Sequence, residues 1–584
     1  MKKHTFFYIS AALVLMVAAS CKKLEEVNPS GSTADDAWST PAGMLTLVNA
    51  TYVDHRNYYG KEDAVLMSEG GTDLWFNANK ANYANQLTRY EGFTSSSSGT
   101  SRNSFTTFYR GLNLCNAGIE RIRNITYPSE QERNQREGEL RFNRAFYLWH
   151  IVMFYGGVHL KLNETKEPSY VATRSTPAEF FKQIMTDLDF AAANLPLTRP
   201  VSTDVSRATA KSALGLMARA ALDAAYQTTG TESAQYFTKA RDAAKQVIDR
   251  QTEFSVRLAA NFADLWDPVN NRKVGREPNG ESLFTISNSS ANLTSNYDGN
   301  ANRMHLWFLT QYSNKIAGLV QTQDYGNDNQ RRLMPTRTLL DYFDETMDAR
   351  YYGTFQEVWI ATNNYTWTTN DANRYGKAAS VVGTQRRAGI DTIMVITKRS
   401  VTNKSTLPYL VFDRDSTYHP DGRIKGSDVF VPLQKFRYPY RTAVNAQPGF
   451  NDIFFIRLAE MYMIAAEAEL QLGNAPAAAG YINVIRTRAA RKTPVDYTAQ
   501  MQVTPAQVTL DFILQERARE FAGEHLRWFD VKRLKGQNNW ASFIKATNPD
   551  ITAVQEFHRL RPVPLEELNS LENGDEFGQN PGYQ

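Results

Sequence analysis

The chain has 584 residues, of which 42% are hydrophobic and 12% aromatic, enough apolar material for a large buried core. Its 65 lysines and arginines nearly balance its 61 acidic residues, so the formal net charge is only +4. Basic residues that are scattered among acids do not form the charged stripe of a nucleic-acid-binding protein, and we expect no nucleic-acid partner.

The first 36 residues have the pattern of a lipoprotein signal followed by a tether. A basic start precedes an apolar run of about 14 residues, which is shorter than the roughly 18 to 20 needed to span hydrocarbon. Small residues then precede Cys21. We predict a signal peptide at 1–20, lipidation of Cys21 and a tether at 21–36, with an ordinary cleaved signal as the alternative. Cys115 then has no cysteine to pair with, so we expect no intramolecular disulfide.

Alanine-rich segments with the spacing of amphipathic helices alternate along the chain with long polar and aromatic stretches. Apolar residues recur on one face at 209–226 and again at 236–248, which predicts two helices in an antiparallel pair. A second pair is predicted at 458–468 and 481–489. Each pair is similar in period to a tetratricopeptide-like unit, and a generic helical hairpin fits the sequence equally well.

Most other periodic segments also predict helices, and strands are few. The sequence Thr-Pro-Ala-Glu at 176–179 combines an N-cap, a first-turn proline and a capping-box glutamate. The stretch at 288–452 is mostly irregular, and long irregular connections in a compact protein are commonly functional, so we expect the ligand site to lie partly there. The further predicted elements are helices at 38–58, 105–123, 131–154, 176–193, 508–523 and 528–535, and strands at 282–286, 392–398 and 409–413.

Several stretches, mostly in the C-terminal third, resemble a known family when they are taken in order. The most specific is a charged helix at 515–521, which is followed by Arg-Trp-Phe-Asp at 527–530. The others are 457–468 with 481–489, the tail at 561–567 with 579–583, and an upstream stretch at 335–351. Together they resemble the SusD/RagB family of outer-membrane nutrient-uptake lipoproteins, over nearly the whole chain after the signal.

The resemblance implies a mostly α, SusD-like fold in which tetratricopeptide-like helix pairs adjoin a loop-rich half with a few short strands. The single domain would cover 37–584, with an N-terminal part at about 37–250 and a C-terminal part at about 280–584. It also implies a lipid-anchored protein of the cell outer membrane that faces the exterior. Such a protein would bind oligosaccharide without catalysis and deliver it to a SusC-like TonB-dependent transporter.

Four residues of the family signature are interpreted as structural. We expect Arg517, Arg527 and Asp530 to form buried ion pairs and Trp528 to anchor the packing of helices. They are therefore not candidates for chemistry.

A glycan site needs flat aromatic rings for the C–H faces of sugars and amide or charged groups for their hydroxyls. The run at 73–83 has this composition, and in some starch-binding members of the family a tryptophan with a nearby asparagine contacts sugar. A second cluster follows the predicted strand at 282–286. Burial in the core is the alternative for each large aromatic. The candidate ligand-binding residues are Trp75, Asn79, Tyr83, Tyr297, Arg303, Trp307 and Tyr325.

The sequence contains none of the common catalytic motifs that would favour an enzyme. It has no G-x-S-x-G, H-E-x-x-H, phosphate-loop or G-x-G-x-x-G motif, and its eight histidines are dispersed. We therefore predict no catalytic residue, no metal and no cofactor. Three alternatives stay open: a peptide-binding, RagB-like uptake lipoprotein, an envelope glycoside hydrolase, and a helical-repeat interaction scaffold.

Overall fold

The computed structural model describes residues 33–78, 82–97, 99–199, 206–269, 275, 278–289 and 301–583. The predicted signal peptide and Cys21 lie outside the described residues, as do Asn79 and Tyr297.

Helices dominate the described residues. Shorter helices cover Ala34–Ala37, Pro41–Ala50, Val53–Tyr58, Glu62–Ser68, Asn82–Thr88, Met304–Trp307, Arg337–Asp341, Arg350–Thr354, Thr369–Arg374, Arg414–Thr417, Thr498–Met501, Leu565–Ser570 and Gly574–Phe577. The longer helices are α1 (Gly99–Ile122), α2 (Glu130–Tyr155), α3 (Pro177–Asn194), α4 (Ala210–Ala225), α5 (Gly230–Asp249), α6 (Leu458–Gln471), α7 (Ala475–Ala489), α8 (Leu510–Phe521) and α9 (Arg527–Thr547).

The ends of these helices follow from local sequence. The predicted start of α3 is confirmed: the Thr176 hydroxyl accepts from the Glu179 backbone N–H, and the Glu179 carboxylate accepts from the Thr176 N–H at 2.7 Å. The predicted helix at 38–58 is two helices, Pro41–Ala50 and Val53–Tyr58, and between them the Thr51 carbonyl accepts from the Tyr147 hydroxyl at 2.6 Å. The last predicted helix is longer than expected, since α9 continues to Thr547 across a kink at Gly536, where φ is 60°.

Helices α1 to α7 pack against one another in chain order, each on the next. The two predicted helix pairs are α4 with α5 and α6 with α7, and α5 packs on α6, so the pairs stack. Small residues allow close approach: a Cβ on Gly215 of α4 would lie 3.0 Å from side-chain carbons of Ile456 and Leu283. Within this stack, Arg219 of α4 donates to the carboxylate of Glu460 in α6 at 2.6 and 2.8 Å.

The strands are short and form small separate sheets, so the mostly α fold class is confirmed. β1 pairs antiparallel with β3 and β2 with β9, β5 pairs with β6, and β7 lies between antiparallel β4 and parallel β8. The strands are β1 (Trp75–Asn77), β2 (Ser282–Ile286), β3 (Leu333–Pro335), β4 (Val358–Ile360), β5 (Tyr365–Thr366), β6 (Gln385–Arg386), β7 (Thr392–Ile396), β8 (Leu410–Phe412) and β9 (Ile453–Arg457). The predicted strand at 282–286 is confirmed in full, and those at 392–398 and 409–413 are shorter than predicted.

Apolar side chains form two large cores. One lies among the stacked helices, and the second lies in the loop-rich half and contains most of the buried aromatic residues between 304 and 433. β1 and β3 belong to the second core, and the Ala78 N–H donates to the Arg332 carbonyl at 2.7 Å just beyond their ladder. This pairing brings an N-terminal segment beside the irregular middle of the chain.

The signature residues interpreted as structural are buried, as predicted. Arg527 donates to the Asp73 carboxylate at 2.7 Å, which ties α9 to the segment before β1. Arg517 Nε lies 2.8 Å from Asp530 Oδ1, and the Trp528 side chain is fully buried. These contacts join α8 and α9 to the loop-rich half.

Candidate functional site

Segment 301–309 is the point where three separate parts of the chain meet. The Arg303 N–H donates to the Gly60 carbonyl at 2.8 Å, and the Asn302 N–H donates to the Gly449 carbonyl at 3.0 Å. At the other end of the segment, the Arg332 N–H donates to the Trp307 carbonyl at 2.8 Å. The segment is therefore held by backbone bonds on several sides, and the side chains around it form the candidate site.

A partly exposed tyrosine lies on one side of this segment. The Tyr83 side chain is 39% exposed, and its hydroxyl donates to Glu62 Oε1 at 2.9 Å. The Arg332 guanidinium contacts the same carboxylate oxygen and lies 5.0 Å from the centre of the Trp307 ring. Burial and the negative charge of Glu62 raise the pKa of Tyr83, so its hydroxyl stays protonated at neutral pH. The result is an aromatic ring with fixed polar neighbours.

On another side of the segment lies a mainly apolar cavity of about 30 Å³, which we call the first cavity. Trp266, Phe436, Phe454 and Met304 contribute aromatic and aliphatic surface, and the amides of Asn302 and Asn451 contribute hydrogen-bonding groups. Rings beside amides are typical of surfaces that contact sugars, and the volume of this cavity accommodates about two water-sized groups.

A buried ion pair forms one wall of the first cavity. Lys435 Nζ donates to Glu524 Oε1 at 2.5 Å and lies 4.4 Å from the centre of the Trp266 ring. Burial lowers the pKa of Lys435 to about 8, even though Glu524 opposes the shift. The charges of Lys435 and Glu524 therefore already compensate each other. The Trp266 ring beside them is half-buried.

A second cavity, of about 20 Å³, adjoins the first, since Met304 and Phe436 line both. Tyr325 forms part of its wall, and its hydroxyl accepts from the Ile360 N–H at 2.9 Å. The Arg437 guanidinium lies 5.3 Å from the centre of the Tyr325 ring and pairs with Asp324 at 3.0 Å. The predicted candidate Tyr325 thus lies near segment 301–309, at a different side from Tyr83.

Two predicted candidates are in the core, and their expected role as stacking surfaces is corrected. Trp75 is fully buried, its indole N–H donates to Glu69 Oε2 at 2.6 Å, and its ring lies 4.8 Å from that of Phe308. Trp307 is 2% exposed. Both rings are enclosed by the second core, which leaves no free face for a sugar ring.

Of the predicted candidates, Arg303 and Trp307 belong to segment 301–309, and Tyr83 and Tyr325 lie on different sides of it. Asn79 and Tyr297 lie outside the described residues. Sequence reasoning missed Trp266, although two asparagines follow it at 270–271, the composition that drew attention to Trp75. It also missed a group of tyrosines near the second cavity. In that group Tyr440 is 55% exposed and its ring centre lies 5.8 Å from that of Tyr438.

Within the described part of the chain, no group of three or more His, Cys, Asp or Glu side chains is placed to hold a metal ion. No helix among the described residues has the length and apolar content needed to cross a membrane.

The chain is similar to proteins of known family over almost its whole length. "SusD-like protein P2" of Formosa agariphila is 25% identical to it over a 600-residue alignment that covers 100% of both chains. The solved structure of a "laminarin binding SusD-like protein" matches at a TM-score of 0.65 and 18% identity, covering 93% of this chain and 100% of that one. The surface glycan-binding protein A from Bacteroides fluxus also matches at a TM-score of 0.65 and 18% identity, and the match covers 93% of this chain and 100% of that one.

Two family models match adjacent parts of the sequence. One, described as "Starch-binding associating with outer membrane", matches residues 33–222. The other, described as "SusD family", matches residues 280–583, which is more than half of the chain. The chain therefore belongs to the SusD family.

Proposed function

We propose that this protein binds an oligosaccharide without catalysis and delivers it to a SusC-like TonB-dependent transporter. The observation that carries the proposal is the surface around segment 301–309, where the partly exposed rings of Tyr83, Trp266 and Tyr325 stand beside amide and charged groups. Proteins with the same fold are named as laminarin-binding and glycan-binding, which supports a carbohydrate ligand.

The location proposed for the protein is the outer face of the outer membrane, held there by lipid on Cys21. The sequence around Cys21 supports this, and so does the outer-membrane description of the family model that matches residues 33–222. A tethered binding protein would hold its ligand close to a membrane transporter, which raises the local ligand concentration at the transporter entrance.

In this proposal Tyr83, Trp266 and Tyr325 supply ring faces, and Arg303 supplies hydrogen bonds. Along the chain Asn79 follows β1 and Tyr297 precedes segment 301–309, and we propose that both take part in binding. The buried rings of Trp75 and Trp307 lie underneath and fix the geometry of the surface.

The carboxylates around the site support binding without catalysis. A glycoside hydrolase needs two carboxyl groups placed on either side of the scissile bond, one of them able to donate a proton. Here Glu62 is occupied by Tyr83 and Arg332, and Asp324 pairs with Arg437. Both carboxylates are therefore already engaged by other side chains of the protein.

The test is isothermal titration of the full-length protein in detergent against neutral and acidic oligosaccharides and against peptides, with release of reducing ends followed in parallel. We expect at least one oligosaccharide to bind with no release of reducing ends. Release of reducing ends would contradict the non-catalytic part of the proposal. Binding to peptides alone would instead identify a peptide-uptake protein.

The same titration with Tyr83→Ala locates the site. Loss of a stacking ring should weaken binding about three- to ten-fold. Tyr170→Ala is the matched control, because Tyr170 is 55% exposed and its carbonyl accepts from the Glu572 N–H, at the C-terminal end of the chain. Equal effects of the two substitutions on the dissociation constant would contradict binding of the ligand at Tyr83.

A further inference from the structure

An arginine beside the second cavity is buried without a negative partner. Arg441 is 5% exposed, and its Nη2 donates to the Gln323 carbonyl at 2.7 Å. Its Nε and Nη1 atoms are buried and have no hydrogen-bond partner in the described part of the chain, and no carboxylate there forms an ion pair with it. A buried charge without a counter-charge is costly, so this guanidinium has capacity for an anionic partner.

A second buried polar group lines the same cavity. His305 is 8% exposed, and its Nε2 has no hydrogen-bond partner among the residues that the structure describes. Burial, together with the positive charges of Arg441 and Arg303, lowers the pKa of His305 to about 3. The imidazole is therefore neutral at neutral pH and can supply one N–H donor without adding charge.

The nearest acid in the wall of the cavity does not compensate Arg441. Asp324 accepts from the guanidinium of Arg437 and is 63% exposed, so its charge is directed to a different arginine and to solvent. The cavity itself has a volume of about 20 Å³, which accommodates one or two water-sized groups. The two oxygens of a carboxylate have this size, and the planar fork of an arginine binds a carboxylate through two parallel hydrogen bonds.

We propose that the second cavity receives the carboxylate of an acidic sugar, so that the oligosaccharide bound by this protein contains uronic-acid units. In this arrangement the second N–H of Arg441 Nη2 and one of the unpartnered atoms, Nε or Nη1, form the fork that donates to the two carboxylate oxygens, and His305 Nε2 lies in the same wall. Tyr325 and Tyr438, which also line the cavity, would contact the sugar ring. This inference rests on the proposed function and names the class of its ligand.

The experiment is titration of the full-length protein with oligogalacturonate and oligomannuronate, each compared with its own methyl ester. The ester keeps the sugar ring and removes the charge. We expect at least one acid to bind ten-fold or more tightly than its ester, because a charge-assisted pair is lost with the charge. In Arg441→Gln this preference should fall to about two-fold or less.

Two further variants control for effects on folding. Arg441→Lys keeps the positive charge and loses the fork, so the preference for the acid should be intermediate between those of the original protein and Arg441→Gln. Arg123→Gln makes the same change just after the end of α1, where the Arg123 side chain is 65% exposed, and should leave the preference unchanged. Melting temperatures of all variants identify any that fail to fold.

The outcomes separate this inference from the function on which it rests. Equal binding of acid and ester, a preference that survives in Arg441→Gln, or binding of neutral oligosaccharides alone would overturn the uronic-acid proposal and leave carbohydrate binding intact. Binding to no oligosaccharide of the wider panel would overturn the proposed function itself.

Discussion

Glu520 is the residue on which the buried charge network of the helical half converges. Its carboxylate lies 2.7 Å from Arg457 Nη1 and 3.0 Å from Arg350 Nη1, and it also contacts Arg488. Burial alone would raise the pKa of Glu520, but these three arginines outweigh it and hold the pKa well below its usual range. The carboxylate is therefore ionised, and it neutralises charges that no water can reach.

Removal of this charge should destabilise the protein strongly. Glu520→Gln leaves the three arginines under-compensated, and we expect the free energy of unfolding to fall by about 3–5 kcal/mol in urea denaturation. Glu253→Gln is the matched control, since Glu253 pairs with Arg250 on the surface, and it should produce no measurable change. Similar losses in both variants would contradict the role of Glu520.

The His150 side chain is buried in its neutral form. Its Nε2 lies 2.7 Å from the Tyr59 hydroxyl and its Nδ1 lies 2.7 Å from the Phe146 carbonyl. The carbonyl can only accept, so Nδ1 carries the proton and Nε2 accepts from Tyr59. Burial lowers the pKa of His150 to about 3, which is below the 6.5 of an unfolded chain.

Because the folded pKa is the lower one, His150 contributes stability that is complete above pH 6.5 and is lost as the pH falls towards 3. The loss should be about 1.4 kcal/mol per pH unit. In His150→Gln the free energy of unfolding should therefore fall less between pH 7 and pH 4.5, by about 2–3 kcal/mol, than in the unmodified protein. Equal pH dependence in both proteins would show that His150 does not titrate in this way.

At the scale of elements, glycine decides how closely helices approach. A Cβ at Gly111 in α1 would lie 2.3 Å from the Tyr147 ring in α2, and that ring is fixed by its hydroxyl bond to Thr51. At Gly480 in α7 a Cβ would meet no atom within 4 Å. The same residue type is thus required at one position and unfavourable at the other.

Alanine at these two positions should have opposite effects. Gly111→Ala should cost about 1–3 kcal/mol of the free energy of unfolding, because α1 and α2 must move apart. Gly480→Ala should add about 0.5–1 kcal/mol, because alanine favours the helix at an exposed position. Urea denaturation measures both changes in the free energy of unfolding. Destabilisation by Gly480→Ala would contradict the packing described for α7.

Elements with strong periodicity could be predicted from sequence, and sites that depend on distant contacts could not. The pairs α4–α5 and α6–α7 were predictable because their apolar residues recur every turn. Burial of Trp75 was not, since the Phe308 ring that packs near its indole and the Asn548 amide that donates to its backbone carbonyl are remote in sequence. Tyr83 and Tyr325 were selected as candidates by composition alone, and composition did not reveal that Glu62 accepts from both Tyr83 and Arg332.

At the scale of the whole molecule, the stacked helices are separate from the proposed binding surface. The stacked helices and their buried ion pairs form one core, and the loop-rich half has a second core beneath the candidate site. Contacts such as Arg527 with Asp73 connect the two halves. Irregular loops on a rigid support are a common arrangement for binding sites.

The proposed lipid attachment at Cys21 can be tested by substitution, because the chain has only two cysteines. Cys21→Ala should abolish labelling by radioactive palmitate and release the protein from the membrane fraction. Cys115→Ala is the control: Cys115 is fully buried in the helical core, and its replacement should leave labelling unchanged. Labelling that persists in Cys21→Ala would contradict the lipoprotein assignment.

We propose that oligosaccharide binds at the surface around segment 301–309 rather than on the stacked helices. Hydrogen–deuterium exchange of the full-length protein, with and without an oligosaccharide that binds in titration, tests this directly. Binding at this surface should slow exchange in segment 301–309 and around Tyr83 and Tyr325, and should leave exchange in α4 to α7 unchanged. Slower exchange confined to α4 to α7 would contradict it.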